Sequence, residues 1–132
     1  IRDRLSAWLG STVGHDKAWG IFGDLTVLYD LTAPAFLDLD DGRGRVLVVI
    51  NNSGGRIFER LPAFKDLSED ERPSVVNGHD RRVESWASMW GLSYQLVASR
   101  DDFDLMDHAN PLVLELRPDE KQTTEFWEVW DS

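Results

Sequence analysis

The chain contains no cysteine. Disulfide bonds and thiolate chemistry are therefore excluded, and an intracellular, cytoplasmic setting is the default expectation. Histidine is scarce, with three in 132 residues, and none stand at His-x-x-x-His spacing. No Gly-x-Ser-x-Gly elbow, Gly-x-Gly-x-x-Gly fingerprint or Walker loop occurs, so nothing points to a dinucleotide or nucleoside triphosphate site. No apolar run approaches the roughly 20 residues of a membrane span, and no secretory leader is recognisable. Basic residues are in deficit: 14 Lys and Arg stand against 24 Asp and Glu, a formal net charge of −10. Such a surface repels nucleic acid. An anionic ligand would need a bound cation or converging backbone N–H groups to offset the field.

What remains is a soluble, globular composition, 42% hydrophobic and 29% charged, long enough for one domain with a real core. Ile1 stands first, without Met. The expectation is a piece of something longer, or a processed chain.

Residues 2–14 read as a helix, with Leu5, Trp8 and Leu9 at helical spacing. Residues 18–22 read as a short apolar strand buried on both faces. Residues 25–37 read as an apolar helix, with Pro34 as a kink or stop. Residues 45–50 are the clearest strand, because Val-Leu-Val-Val-Ile is β-branched and unbroken. A glycine-opened turn over 54–61 leads into a short helix. Residues 62–80 are polar and irregular, a candidate lid, with Ser68 to Glu71 as a solvated helix start. Residues 82–90 form a helix capped by Gly91, 93–97 a strand, and 99–103 a short acidic helix with Ser99 as its N-cap. A strand over 111–116 and a helix over 120–130 complete the chain. Strands alternate with helices. The expected fold is α/β: a three-layer, mostly parallel sheet with helices on both faces.

Two strand ends carry the chemistry. Gly23-Asp24 closes the first strand and Asn51-Asn52-Ser53-Gly54-Gly55 closes the second, with 27 residues between Asp24 and Asn52. Each motif alone reads as a turn. One helix apart in a parallel sheet, they meet at the carboxyl edge, where open α/β sheets bind ligands. The Asp24 carboxylate, the Asn52 amide oxygen and the Gly54 carbonyl are hard oxygen ligands suited to Mg²⁺ that also holds phosphate oxygens. Gly23 and the start of the next helix offer N–H groups to a diphosphate. Arg56 and Arg60 flank the glycine-rich turn, where an acidic substrate would meet them, although a surface role fits equally. Among the histidines only His79, in the polar loop, is a site candidate. The Trp86/Trp90 and Phe126/Trp127/Trp130 stripes read as core or domain interface.

This pattern resembles the thiamine diphosphate- and Mg²⁺-dependent decarboxylases and carboligases. Most members carry Gly-Asp-Gly; here Leu25 follows Asp24. Gly23-Asp24-Leu25-Thr26-Val27-Leu28-Tyr29-Asp30, with Asn51-Asn52-Ser53-Gly54-Gly55-Arg56-Ile57-Phe58-Glu59-Arg60-Leu61-Pro62, is similar to the menaquinone-pathway branch. The likeness covers nearly the whole chain, but only the C-terminal, diphosphate-binding domain of such enzymes. It implies decarboxylation of a 2-oxoacid, 2-oxoglutarate, and addition of the succinyl-semialdehyde unit to isochorismate. It implies that Asp24, Asn52 and the Gly54 carbonyl hold Mg²⁺, and that Gly23, Leu25 and Ser53 lie on the diphosphate. Ile1 would prop the bent cofactor, and Phe58 and Leu61 would line the substrate side. The glutamate that activates the cofactor belongs to a pyrimidine-binding domain, supplied in cis or by a second chain, in a homo-oligomer. Arg2-Asp3 replaces the family's Asp-Gly, and Ala7 stands for its Thr. Two other readings stay open, an acetolactate synthase-type domain and a binding module that kept the fold without the chemistry. On the cofactor reading, Asp24 would be worth little to the metal-free core, and an apolar face would stand exposed where the partner domain belongs.

Overall fold

The computed structural model describes residues 5–56, 61, 64, 66–102 and 111–130. Among the described residues four strands, β1 (Ala18–Gly23), β2 (Arg45–Ile50), β3 (Ser93–Val97) and β4 (Leu112–Leu116), form one sheet in the order β1-β2-β4-β3, and every pairing is parallel. The two central strands are covered on both faces, which is why β2 and β4 read as continuous apolar runs. Edge strands β1 and β3 are more exposed; contrary to expectation β1 is not buried on both faces, because it closes one edge of the sheet and leaves Trp19 and Ile21 open to solvent.

Helices α1 (Leu5–Ser11), α2 (Asp24–Tyr29), α3 (Arg72–Val76), α4 (Val83–Met89) and α5 (Glu120–Trp130) lie around the sheet, consistent with the expected three-layer α/β architecture. The larger core unites Leu5 and Leu9 of α1, Val27 of α2, Val83, Trp86 and Ala87 of α4, and Phe22, Leu47, Val49 and Val113 of the sheet. A smaller one gathers Val48, Val97, Leu112 and Leu114. At Gly20 a Cβ would sit 2.8 Å from the Trp8 ring. The missing side chain lets Trp8 lie edge-on to Phe22, with ring centroids 5.4 Å apart.

Two further expectations change. The helix over 25–37 is broken: α2 stops at Tyr29, and a 3-10 segment, Ala33–Leu39, follows with Pro34 in its first turn. Pro34 lacks an N–H and, in a continuous helix, would clash with the carbonyl four residues back. The break is held by tertiary contacts. The indole N–H groups of Trp86 and Trp90 both donate to the Leu31 carbonyl at 2.9 Å, and Asp30 Oδ2 accepts the Ser6 N–H at 2.7 Å. The segment expected to be irregular contains α3. Glu71 accepts from the Ser68 N–H and hydroxyl ahead of it, and Pro73 sits in its first turn. Asn77, in the left-handed region at φ 49°, caps its end. Exposed apolar side chains include Ile21, Tyr29, Leu39 and, on α5, Phe126, Val129 and Trp130, the last 71% exposed. Among the described residues no helix is long and apolar enough to cross a membrane.

Candidate functional site

The register of β1 on β2 pairs Gly23 with Ile50, so Asp24 and Asn51 emerge side by side from adjacent strands at the carboxyl edge. On the other side of β2, the Asn51 N–H donates to the Leu116 carbonyl of β4 at 2.8 Å. The two motifs 27 residues apart in sequence therefore meet in space.

Asp24 is 3% exposed and accepts three hydrogen bonds. Its Oδ1 takes the Leu25 N–H at 2.8 Å; its Oδ2 takes the Gly54 N–H at 2.8 Å and faces His79 Nε2 at 3.0 Å. It is therefore integral to the metal-free architecture, contrary to the expectation that it contributes little there.

The Asn51–Gly55 loop is shaped from beneath by a buried carboxylate. Glu115 of β4, fully buried, accepts from Asn51 Nδ2 at 2.7 Å, from Arg117 Nε at 2.7 Å and from the Tyr94 hydroxyl. Burial alone would push its pKa up; the Arg117, Tyr94 and Asn51 hydrogen bonds outweigh that and hold it below the ordinary carboxylate value. Tyr94 moves the other way, raised by burial and then by its bond to Glu115. With its amide nitrogen committed to Glu115, Asn51 turns Oδ1 toward the Ser53 N–H at 3.1 Å. Ser53 (φ 64°) and Gly54 (φ 130°) then carry the chain sharply over Asp24.

From above, residues 76–79 form a strap across the loop. The Gly55 N–H donates to the Val76 carbonyl at 2.6 Å, and the His79 N–H to the Ser53 carbonyl at 3.3 Å. A Cβ at Gly54 would lie 2.8 Å from the Val76 carbonyl oxygen and 3.0 Å from Gly78 Cα, so only glycine fits both the backbone angle and the space.

Over 129 residues, 96% of its length, the chain is 36% identical to the 2-succinyl-5-enolpyruvyl-6-hydroxy-3-cyclohexene-1-carboxylate synthase of Akkermansia muciniphila. The synthase of the same name from Bdellovibrio bacteriovorus is 35% identical over 135 residues, 99% of the chain. The chain belongs to this synthase family. A third relative so named, from Bacteroides thetaiotaomicron, is 29% identical over 102 residues. No family model matches the chain. The chain spans 24% of the length of the first two relatives, consistent with a C-terminal domain of the synthase.

Within this synthase domain the anticipated residues fall into four groups. Asp24, Gly54 and the backbone of Ser53 converge, with Asn52 half-buried in the same loop. The Asn52 side chain makes no hydrogen bond to the described residues. Two N–H groups expected on a diphosphate are engaged internally, Leu25 with Asp24 and Ser53 with Asn51. Arg56 donates to Glu120 of α5 at 2.6 Å, and Leu61 is 42% exposed. Ile1 and Phe58 lie outside the described residues. Sequence reasoning singled out His79 among the histidines but not its contact with Asp24, and it missed the support of Asn51 by Glu115. The weak signals were a histidine in a loop and a lone acid within an apolar strand.

Proposed function

We propose that the chain is the cofactor-binding domain of a thiamine diphosphate- and Mg²⁺-dependent synthase that decarboxylates 2-oxoglutarate and adds the succinyl-semialdehyde unit to isochorismate. The observation that carries this reading is the meeting of Asp24 with the Asn52–Gly54 loop at the carboxyl edge of the parallel sheet.

The donor set fits the metal. Among the described residues no cluster of three His, Cys, Asp or Glu side chains exists to cage a cation. Mg²⁺ needs no such cage, because it commonly binds one or two carboxylates and completes its shell with waters and phosphate oxygens. Asp24 would supply the charge, and Asn52 and the Gly54 carbonyl would supply neutral oxygens. When bound, thiamine diphosphate supplies the carbanion chemistry that decarboxylation and carboligation demand. The chain's own share is positioning. Glu115 and Asn51 shape the loop from the sheet side, and the strap closes it from the other. In a chain of net charge −10, a cation held by Asp24 would offset the field that an anionic cofactor meets. The activating glutamate is assigned to a pyrimidine-binding domain in the rest of the enzyme or in a second copy.

Calorimetric titration of thiamine diphosphate into the full-length enzyme, with Mg²⁺ and again with EDTA, tests the reading. Metal-dependent heat that Asp24→Asn abolishes is the expected result. Cofactor affinity indifferent to both EDTA and Asp24→Asn would sink it.

A further inference from the structure

We propose that His79 is a positioning residue that holds the Asp24 carboxylate ready for the metal. The inference rests on the reading of Asp24 as a Mg²⁺ ligand and assigns a role to a residue outside the ligand set.

The tautomer follows from the hydrogen-bond network. His79 Nδ1 accepts the Arg81 N–H at 3.1 Å, so the ring proton sits on Nε2, which donates to Asp24 Oδ2 at 3.0 Å. An ionised carboxylate offers about four lone-pair positions. Three are taken in Asp24: one on Oδ1 by the Leu25 N–H, and both on Oδ2, by the Gly54 N–H and His79. The position left open is on Oδ1. His79 and the Gly54 N–H thus anchor one oxygen and leave the other to a cation.

The histidine is delivered, not incidental. Its backbone N–H is tied to the Ser53 carbonyl, and the strap it rides on is bonded to Gly55 through Val76. The same strap lies against Gly54, where no side chain fits. Its imidazole is 9% exposed, against 4% for the Asp24 side chain. A part-buried imidazole donor fixes a carboxylate in one rotamer, and partners of this kind typically change metal affinity about 10–100-fold when removed.

The test is Mg²⁺ titration of the full-length enzyme at saturating thiamine diphosphate, read by calorimetry, with melting of the metal-free protein alongside. His79→Leu should raise the Mg²⁺ Kd by about 10–100-fold. His79→Gln, whose amide nitrogen reaches the place of Nε2, should return it to within a few-fold of wild type. If His79→Leu does not fold, His79→Asn, too short to reach Asp24, takes its place. An unchanged Kd without the donor, or equal losses in the Gln and Leu variants, would overturn the assignment. Asp24→Asn run in parallel separates the two failures. Loss of Mg²⁺ dependence there, with none in His79→Leu, removes only the role of His79. Retention there removes the metal reading and this inference with it.

Discussion

The sheet buries a charge near each end, and the two are held in different ways. Arg45, 3% exposed at the amino end of β2, is saturated mostly by backbone. Its guanidinium donates to the carbonyls of Thr12, His15 and Arg43 and to the Thr12 hydroxyl, and it pairs with Asp40. Glu115, near the carboxyl end of β4, accepts only from side chains: Asn51, Tyr94 and Arg117. Arg45 ties the end of α1 and the loop before β2 to the sheet. Gly44 belongs to that clasp, since a Cβ there would lie 2.0 Å from the Asp16 carbonyl oxygen. Glu115 ties a side chain whose other end shapes the candidate site. A charge satisfied by carbonyls locks the backbone in place, whereas one satisfied by side chains can orient a loop.

The sharpest way to break the comparison is Arg45→Met. It strands three buried or half-buried carbonyls and removes the Asp40 partner, and should cost about 3 kcal/mol of stability. Urea denaturation measures the loss, while thiamine diphosphate affinity of the folded protein should hold. Lost affinity in a stable variant would show that the amino end reaches the site. Next comes Glu115→Leu, expected to cost about 2 kcal/mol by leaving Asn51 Nδ2 and the Tyr94 hydroxyl without an acceptor. Unlike Arg45→Met it should also weaken cofactor binding, because Asn51 no longer orients Ser53. Equal cofactor affinity in the two variants would erase the distinction.

A pH series sharpens the same contrast. Glu115 titrates below its ordinary 4.5 in the folded chain. A carboxylate depressed by folding contributes its stability above the ordinary value and loses it as pH falls through the lowered one. The stability gap between wild type and Glu115→Gln should therefore be full at neutral pH and shrink in acid. Asp40 is also lowered, chiefly by the Gly14 N–H, with Gly42 and Arg45 adding to it and burial opposing. Acid should therefore loosen both ends, and a gap that widens below pH 4.5 would contradict the sign worked out for Glu115. The smallest effect belongs to Arg56→Ala. Its ion pair with Glu120 is exposed, 38% and 75% on the two side chains, so the change in stability should stay under about 0.5 kcal/mol. A raised KM for the acidic substrate with unchanged melting would assign Arg56 to substrate binding.

Much of this architecture was legible along the chain. Val46 to Ile50 read clearly as a strand because the run is β-branched and unbroken, and the spacing of Asp24 and Asn52 reported two strand ends one crossover apart. The helix over 25–37 was overdrawn because its apolar periodicity continues past Asp30. Pro34 opens the 3-10 segment that replaces it, as the sequence suggested, and the indoles of Trp86 and Trp90, more than fifty residues on, hold the break by capturing the Leu31 carbonyl. Arg45 and Glu115 hid for a related reason. A charged residue within a strand reads as solvent-facing until the groups that neutralise it are known.

By itself the sequence determined the α/β alternation, the parallel sheet and the two loops at its carboxyl edge, because period, turn chemistry and spacing are local properties. Tertiary structure alone decided which atoms of those loops are already engaged, that His79 arrives at Asp24 from 55 residues away, and that Glu115 sets the amide of Asn51. Hydrogen bonds between distant segments depend on how the chain closes, and no local pattern encodes that closure.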